Sequence, residues 1–114
     1  MNNCLEVDIT TKDYGNENDW ALESGMDNCT RMNGNVIDED GNVKPYGNHE
    51  TYKEMCCLAE GIHTLTCIDS FKDGWHGGFM EIQGKRFCEN FIKGHSQTTL
   101  INIGGNVFSM LCTP

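Results

Sequence analysis

The stretch Asp69–Gly78, DSFKDGWHGG, combines the residue types that bind hard cations. Calcium takes roughly six to eight oxygen ligands at about 2.3 to 2.6 Å, supplied by carboxylates and backbone carbonyls. Asp69 and Asp73 are four residues apart, and the glycines let a turn bend several carbonyls toward one point. We therefore expect a calcium site formed by Asp69 and Asp73, by the main chain at Trp75, and by Glu81 on the next strand.

The same stretch is also typical of a tight turn that holds no ion, because Asp and Gly are residues that turns select. The indole of Trp75 likewise has two interpretations. It either plugs the end of a hydrophobic core or offers a flat apolar face to a ligand. The plug is favoured, since buried aromatic rings dominate core energetics.

No group of residues in the sequence has the pattern of an enzyme active site, and no second metal site is indicated. DEDGN at Asp38–Asn42 begins like an EF-hand loop, but Val43 stands where the sharp turn needs Gly, and His49 where a bidentate Glu is required. The four histidines lack the spacing of a zinc site, and no serine has the context of a nucleophile elbow. We expect a binding protein without catalytic residues.

The net charge disfavours two classes of partner, nucleic acids and anionic membrane surfaces. Eight Lys and Arg residues face 17 Asp and Glu residues, which gives a formal net charge of −9. Such a field repels phosphate backbones and anionic lipid headgroups, so we expect no binding to nucleic acid. Membrane insertion is not expected either, because no run approaches the roughly 20 apolar residues that span a bilayer. The chain as given is expected to be soluble, with any export signal absent or already removed.

The cysteines predict a disulfide framework. Seven of them are spread along the chain without the paired spacing of a zinc site. Disulfides stabilise small domains in oxidising compartments, so we expect a secreted protein. Adjacent residues of a strand face opposite sides, so Cys56 and Cys57 should bridge to different partners. The remaining connectivity is open, and one cysteine is left over, for which Cys4 and Cys112 near the termini are the candidates.

Alternating apolar and polar residues predict short β-strands separated by Gly-bearing turns. The chain is expected to be one domain, residues 1–114, and all-β: an antiparallel β-sandwich of short strands stapled by disulfides, or a flattened barrel. Glu50–Glu60 fits a strand better than a helical turn, and Ser24–Glu50 is expected to be a long irregular loop. The other predicted strands are Cys4–Thr11, Ile62–Asp69, Gly78–Gln83, Arg86–Ile92, Thr98–Ile103 and Asn106–Cys112.

A resemblance extends these expectations. Cys56–Phe91 resembles a cysteine-rich secreted module of marine invertebrates. Its hallmarks are a vicinal Cys pair, a strand ending in Cys-x-Asp-Ser, a Gly-Asp-Gly-Trp-Asn/His-Gly-Gly turn and a strand ending in Tyr/Phe-Cys. YGNENDWALE, Tyr14–Glu23, fits the opening of that module, whereas Lys72 stands where the module usually has Gly. Such modules occur beside proteases and adhesion domains and are generally non-catalytic.

The chain is also similar to calcium-dependent galactose-binding lectins of sea anemones. In a site of that type, two adjacent ring hydroxyls replace water on calcium. The resemblance implies that Glu17 and Asn18 contact the sugar and that His76 or Trp75 stacks on its apolar face. We therefore expect a secreted lectin for galactose-containing glycans, in the form of a homodimer whose two sites add avidity. The alternative is a structural or adhesion module that binds a protein partner.

Overall fold

The computed structural model of the protein describes residues 2–25, 27–30, 39–42 and 44–103. These residues form eight β-strands and a short 3-10 helix, η1, at Gly15–Glu17. None of the helical structure in the described ranges is long and apolar enough to cross a membrane. The strands are β1 (Asn2–Thr10), β2 (Asn18–Ser24), β3 (Asp27–Thr30), β4 (Thr51–Ala59), β5 (Gly61–Asp69), β6 (Phe79–Ile82), β7 (Lys85–Phe87) and β8 (Ser96–Ile103).

The strands build two antiparallel four-stranded sheets. Sheet A has the order β4-β1-β6-β7, and sheet B has the order β3-β2-β5-β8. The sheets face each other as a sandwich, which confirms the predicted all-β fold class. The pairing of β2 with β5 positions two of the candidate site residues, because it places Asn18 opposite Asp69 at one end of sheet B.

The core lies between the sheets and follows the predicted alternation. In β1, Val7 and Ile9 are fully buried, while Glu6 on the opposite face is exposed. Each strand thus has one apolar face, and burial of that face stabilises the fold. The free energy gained is about 25 cal/mol per Å² of apolar surface removed from water. The other inward residues include Trp20, Leu22, Leu58, Leu65, Met80, Ile82, Ile101 and Ile103.

Three disulfides staple the sandwich, and Cys56 and Cys57 have different partners, as predicted. Cys4–Cys57 joins the neighbouring strands β1 and β4 on the outer face of sheet A, where both cysteines are exposed. Cys29–Cys56 connects the two sheets through β3 and β4, and Cys67–Cys88 connects them through β5 and the residue after β7. Cys4 is therefore not the unpaired cysteine, and Cys112 lies outside the described residues.

Several boundaries differ from the sequence-based expectation. Thr51–Ala59 is a strand, so the strand interpretation of Glu50–Glu60 is confirmed. The predicted strand Arg86–Ile92 is wrong beyond Phe87, because Cys88 has a φ of 70°, which an extended strand does not allow. The expected irregular loop Ser24–Glu50 contains β3. The predicted strand Asn106–Cys112 lies outside the described residues.

Candidate cation site

Asp69, the last residue of β5, organises the loop that comes after it. Its buried carboxylate accepts the backbone N–H of Phe71 at 3.1 Å and that of Asp73 at 2.5 Å. Its own N–H donates to the carbonyl of His95 at 2.8 Å, next to β8. An Asp side chain that accepts the N–H groups of later residues stabilises a turn. Asp69 is thus the anchor of the loop.

The residues Gly74 and Trp75 fix the next part of the loop. Gly74 has a φ of 83°, and a Cβ at this position would collide with the carbonyl oxygen of Phe91, so glycine is required. Trp75 donates its N–H to the same carbonyl at 3.0 Å, and its indole Nε1 donates to the carbonyl of Ile68 at 2.9 Å. The ring is 0% exposed. It plugs the end of the sandwich, and a buried ring presents no face to a sugar, which corrects the expectation that Trp75 stacks on a ligand.

A second segment, Tyr14–Asn18, reaches the loop from the start of β2. Tyr14 adopts the left-handed conformation, and its carbonyl accepts the N–H of Glu17 at 3.0 Å to form η1. The carbonyl of Glu17 in turn accepts the N–H of Ser70 at 3.3 Å. Together with the pairing of β2 and β5, this hydrogen bond brings Glu17 to the Asp69 loop although the two are about fifty residues apart in sequence.

Three side chains meet where these segments touch. Glu17, Asp73 and His76 each offer one potential ligand atom, and these atoms lie within 4.8 Å of one another. His76 Nε2 is 3.3 Å from Asp73 Oδ2. We call Glu17, Asp73 and His76 the tip cluster. The sequence predicts a functional role for all three residues, but it assigns Asp73 to the metal, and Glu17 and His76 to the sugar. It does not predict that the three side chains lie together.

The tip cluster concentrates negative charge. Burial raises the pKa of the Glu17 carboxyl, and the charges of Asp73 and Asp69 raise this pKa further. The pKa of Asp73 is lowered, mainly by a side-chain hydrogen bond with Asp69 and in addition by the charge of His76. A proton on Glu17 therefore relieves part of the repulsion, and a divalent cation would relieve it by displacing that proton.

Glu17 of the tip cluster and the next residue, Asn18, carry buried polar atoms that lack a protein partner among the described residues. Glu17 Oε1 and both polar side-chain atoms of Asn18 are buried and make no hydrogen bond to any residue that the structure describes. Asn18 is 3% exposed and Glu17 is 9% exposed. Asn18 is the register partner of Asp69, so its amide lies on the inner face at the same end of sheet B. Buried polar atoms are almost always satisfied by protein, water or an ion, and these atoms indicate one of the latter two.

Most of the potential donor atoms at the site are hard oxygens. Carboxylate and amide oxygens of Glu17, Asn18 and Asp73 are hard ligands of the type that calcium prefers. Asp69 already accepts two N–H groups, but each carboxylate oxygen retains a second lone pair. His76 is the exception, because an imidazole nitrogen suits zinc and other transition ions better than calcium. In a calcium site, His76 would remain a neighbour of Asp73 rather than a ligand.

Glu81 lies elsewhere. It sits on β6 with Asp8 and Arg86 as its register partners in sheet A. Met80 and Ile82 on either side are buried, so Glu81 faces outward from the sheet. The carboxylate of Glu81 is not among the ligand atoms that meet in the tip cluster. This corrects the expectation that Glu81 completes the cation shell.

Tyr14 was not assigned any role from the sequence. Its ring is 54% exposed and its centroid lies 4.9 Å from that of His76, with an angle of 49° between the ring planes. An aromatic residue inside the polar run Tyr14–Asn18, YGNEN, is the signal that would have found it. The edge of the tip cluster therefore carries an exposed aromatic surface.

No protein-family model, curated protein or solved structure matches the chain. Its fold and site define it as a disulfide-stapled antiparallel β-sandwich with a carboxylate-rich cluster at one end. The resemblances to a secreted marine-invertebrate module and to sea anemone lectins stay predictions.

Proposed function

We propose that the protein is a calcium-dependent carbohydrate-binding protein, a lectin of the galactose type, and that it catalyses no reaction. The observation that carries the proposal is the buried Glu17 Oε1, which has no hydrogen-bond partner among the described residues and belongs to a side chain that meets Asp73 in the tip cluster. A second such oxygen lies on the next residue, Asn18. Oxygens of this kind are ligands for calcium, and a shell completed by solvent leaves positions that sugar hydroxyls can take.

Each residue of the site has its own role in this proposal. A calcium ion held at the tip cluster would accept two adjacent hydroxyl oxygens of a sugar. Asp73, with its side chain 51% exposed, and Glu17 accept the protons of these hydroxyl groups. His76 is partly exposed next to Asp73 and donates from its ring N–H. Trp75 and Asp69 hold the loop in place beneath them.

The compartment is consistent with binding of extracellular glycans. Three disulfides indicate an oxidising environment, where calcium is also abundant enough for a weak site to be filled. We propose that the protein is secreted and works outside the cell.

Calorimetry tests the proposal directly. Calcium is titrated first into metal-free protein, and zinc is titrated separately, because His76 offers a nitrogen ligand. Methyl galactoside is then titrated into the protein with calcium and again with excess chelator. We expect calcium to bind, and we expect sugar heat that disappears with the chelator. Glycan-array binding with calcium would extend the result to galactose-containing oligosaccharides.

Two outcomes contradict the proposal in different ways. Zinc binding without calcium binding would show that the tip cluster binds a metal ion but that calcium is not its ligand. Calcium binding without heat from any simple sugar would favour the alternative, an adhesion module that binds a protein partner. Phe71, a 68% exposed ring on the Asp69 loop, would then be the first candidate for a contact with that partner.

We further propose that the protein acts as a homodimer, because two sites on one particle raise avidity without any new contact. Light scattering coupled to size-exclusion chromatography measures the mass against the 12.8 kDa of one chain. A mass of one chain at all concentrations would exclude the dimer and leave single-site binding intact.

A further inference from the structure

Tyr14 is more than half exposed, and the backbone around it is hydrogen-bonded. Its backbone adopts φ 60° and ψ 39°, a left-handed conformation that is uncommon for residues other than Gly, Asn and Asp. The Tyr14 carbonyl accepts the N–H of Glu17, and the N–H of the next residue, Gly15, donates to Asn48 Oδ1 at 2.9 Å. The backbone hydrogen bonds fix the point from which the Tyr14 side chain projects, and a Tyr ring there offers apolar faces together with a polar hydroxyl.

The position of that ring is tied to the tip cluster. The Tyr14 ring contacts the His76 ring, and His76 Nε2 lies 3.3 Å from Asp73 Oδ2. The exposed aromatic face and the carboxylate of Asp73 therefore both border one imidazole. Polar groups next to a flat apolar surface are the arrangement that recognises a molecule with hydroxyls on one edge and C–H groups on one face.

We propose that Tyr14 is the stacking platform of the sugar site and that it selects galactose over glucose. This inference rests on the proposed function. In galactose the axial O4 leaves one face with a continuous patch of C–H groups, whereas equatorial O4 in glucose interrupts the corresponding patch. A sugar whose adjacent hydroxyls point at the tip cluster lays that C–H face on the Tyr14 ring. Tyr14 then contributes sugar affinity and selectivity but no affinity for the cation.

Replacement of the ring tests the platform. Tyr14→Asn removes the ring and keeps a residue that tolerates the left-handed backbone. We expect its affinity for methyl galactoside to fall about tenfold, with the preference for galactoside over glucoside reduced and the calcium affinity unchanged. Phe71→Ala is the matched control, because it removes another exposed ring from the same end of the molecule. We expect it to bind galactoside like the wild type.

A second variant gives a direct optical readout. Both native indoles, Trp20 and Trp75, are buried, with exposures of 1% and 0%, so they are shielded from a surface ligand. In Tyr14→Trp the introduced indole lies on the surface, and we expect its fluorescence emission to shift to shorter wavelength when galactoside is added with calcium. Galactoside affinity in this variant should equal or exceed that of the wild type.

The outcomes separate the inference from the proposed function. If wild-type protein binds no sugar in calcium, the proposed function fails and the platform fails with it. If the wild type binds galactoside, and Tyr14→Asn binds it with the same affinity and selectivity, the platform alone is overturned. Absence of a fluorescence shift in Tyr14→Trp at saturating galactoside would overturn it as well.

Discussion

The indole Nε1 of Trp75 donates a hydrogen bond to the backbone carbonyl of Ile68 at 2.9 Å, from a ring that is wholly buried. Removal of such a ring from a core leaves a large cavity. We expect Trp75→Ala to lower the free energy of unfolding by about 3 to 5 kcal/mol. Trp75→Phe keeps most of the apolar volume and loses the hydrogen bond, so its cost should be smaller. Urea unfolding monitored by circular dichroism measures both.

The same variants distinguish the two roles of the indole. A plug affects stability and leaves sugar affinity nearly unchanged in the folded protein. Near wild-type stability in Trp75→Ala, together with a loss of sugar affinity, would show that the indole acts on the ligand after all.

Asp73 and Glu81 form a matched pair for the cation site. Both are acidic, but Asp73 belongs to the tip cluster, whereas Glu81 faces outward from sheet A. Since Asp73→Asn removes a charged ligand, we expect it to weaken calcium binding at least tenfold while the fold is retained. Glu81→Gln removes the same charge from the protein and should keep the wild-type affinity. Calorimetry on both variants checks this, and equal losses would mean that overall charge controls the affinity rather than ligation.

The sequence predicts the strands well, because their signal is local. The alternation around Val7 and Ile9 requires no knowledge of the partner strand, and the turn at Gln83 and Gly84, both with positive φ, is likewise local. The predicted strand beyond Phe87 failed for the opposite reason. The left-handed backbone of Cys88 and its disulfide are consequences of tertiary structure that no local pattern reveals.

The site is harder to predict, because its geometry depends on pairing between distant segments. Asp69 and Asp73 are close in sequence and were found together, but Glu17 joins them only through the register of β2 and β5. Glu81 shows the reverse error. It is near the loop in sequence, but it faces outward on β6 of sheet A and is absent from the tip cluster, so residues close in sequence are not brought together in space.

The titration of Glu17 makes stability depend on pH in the absence of a cation. Its pKa in the folded protein lies above the ordinary value of 4.5, so the proton is held more tightly in the folded than in the unfolded chain. This contribution is present below pH 4.5 and is lost as pH rises through the folded pKa. Asp73 has the opposite sign, because its lowered pKa contributes stability above 3.8 that is lost as pH falls through its folded pKa.

Unfolding by urea in calcium-free buffer between about pH 4 and 7 tests the contribution of Glu17. We expect the free energy of unfolding of the wild type to decrease relative to that of Glu17→Gln as pH rises. Calcium should reverse this difference, because it binds ionised Glu17. Parallel pH profiles of the two proteins without calcium would show that Glu17 does not titrate abnormally.

The exposed disulfide Cys4–Cys57 should be the first to be reduced. Thiol–disulfide exchange requires a reductant to reach a sulfur atom, and both residues of this bridge are exposed, whereas the four cysteines of the other two bridges are buried. Limiting reductant and subsequent alkylation with peptide mapping should therefore label Cys4 and Cys57 before the four cysteines of the other two bridges. Because β1 and β4 already pair over the whole of Asn2–Thr10, we expect the double substitution of both residues by Ser to retain the fold. It should also retain calcium binding, since the tip cluster contains no residue of either strand. Simultaneous labelling of all six cysteines would instead mean that opening of the whole sandwich, rather than local access, controls reduction.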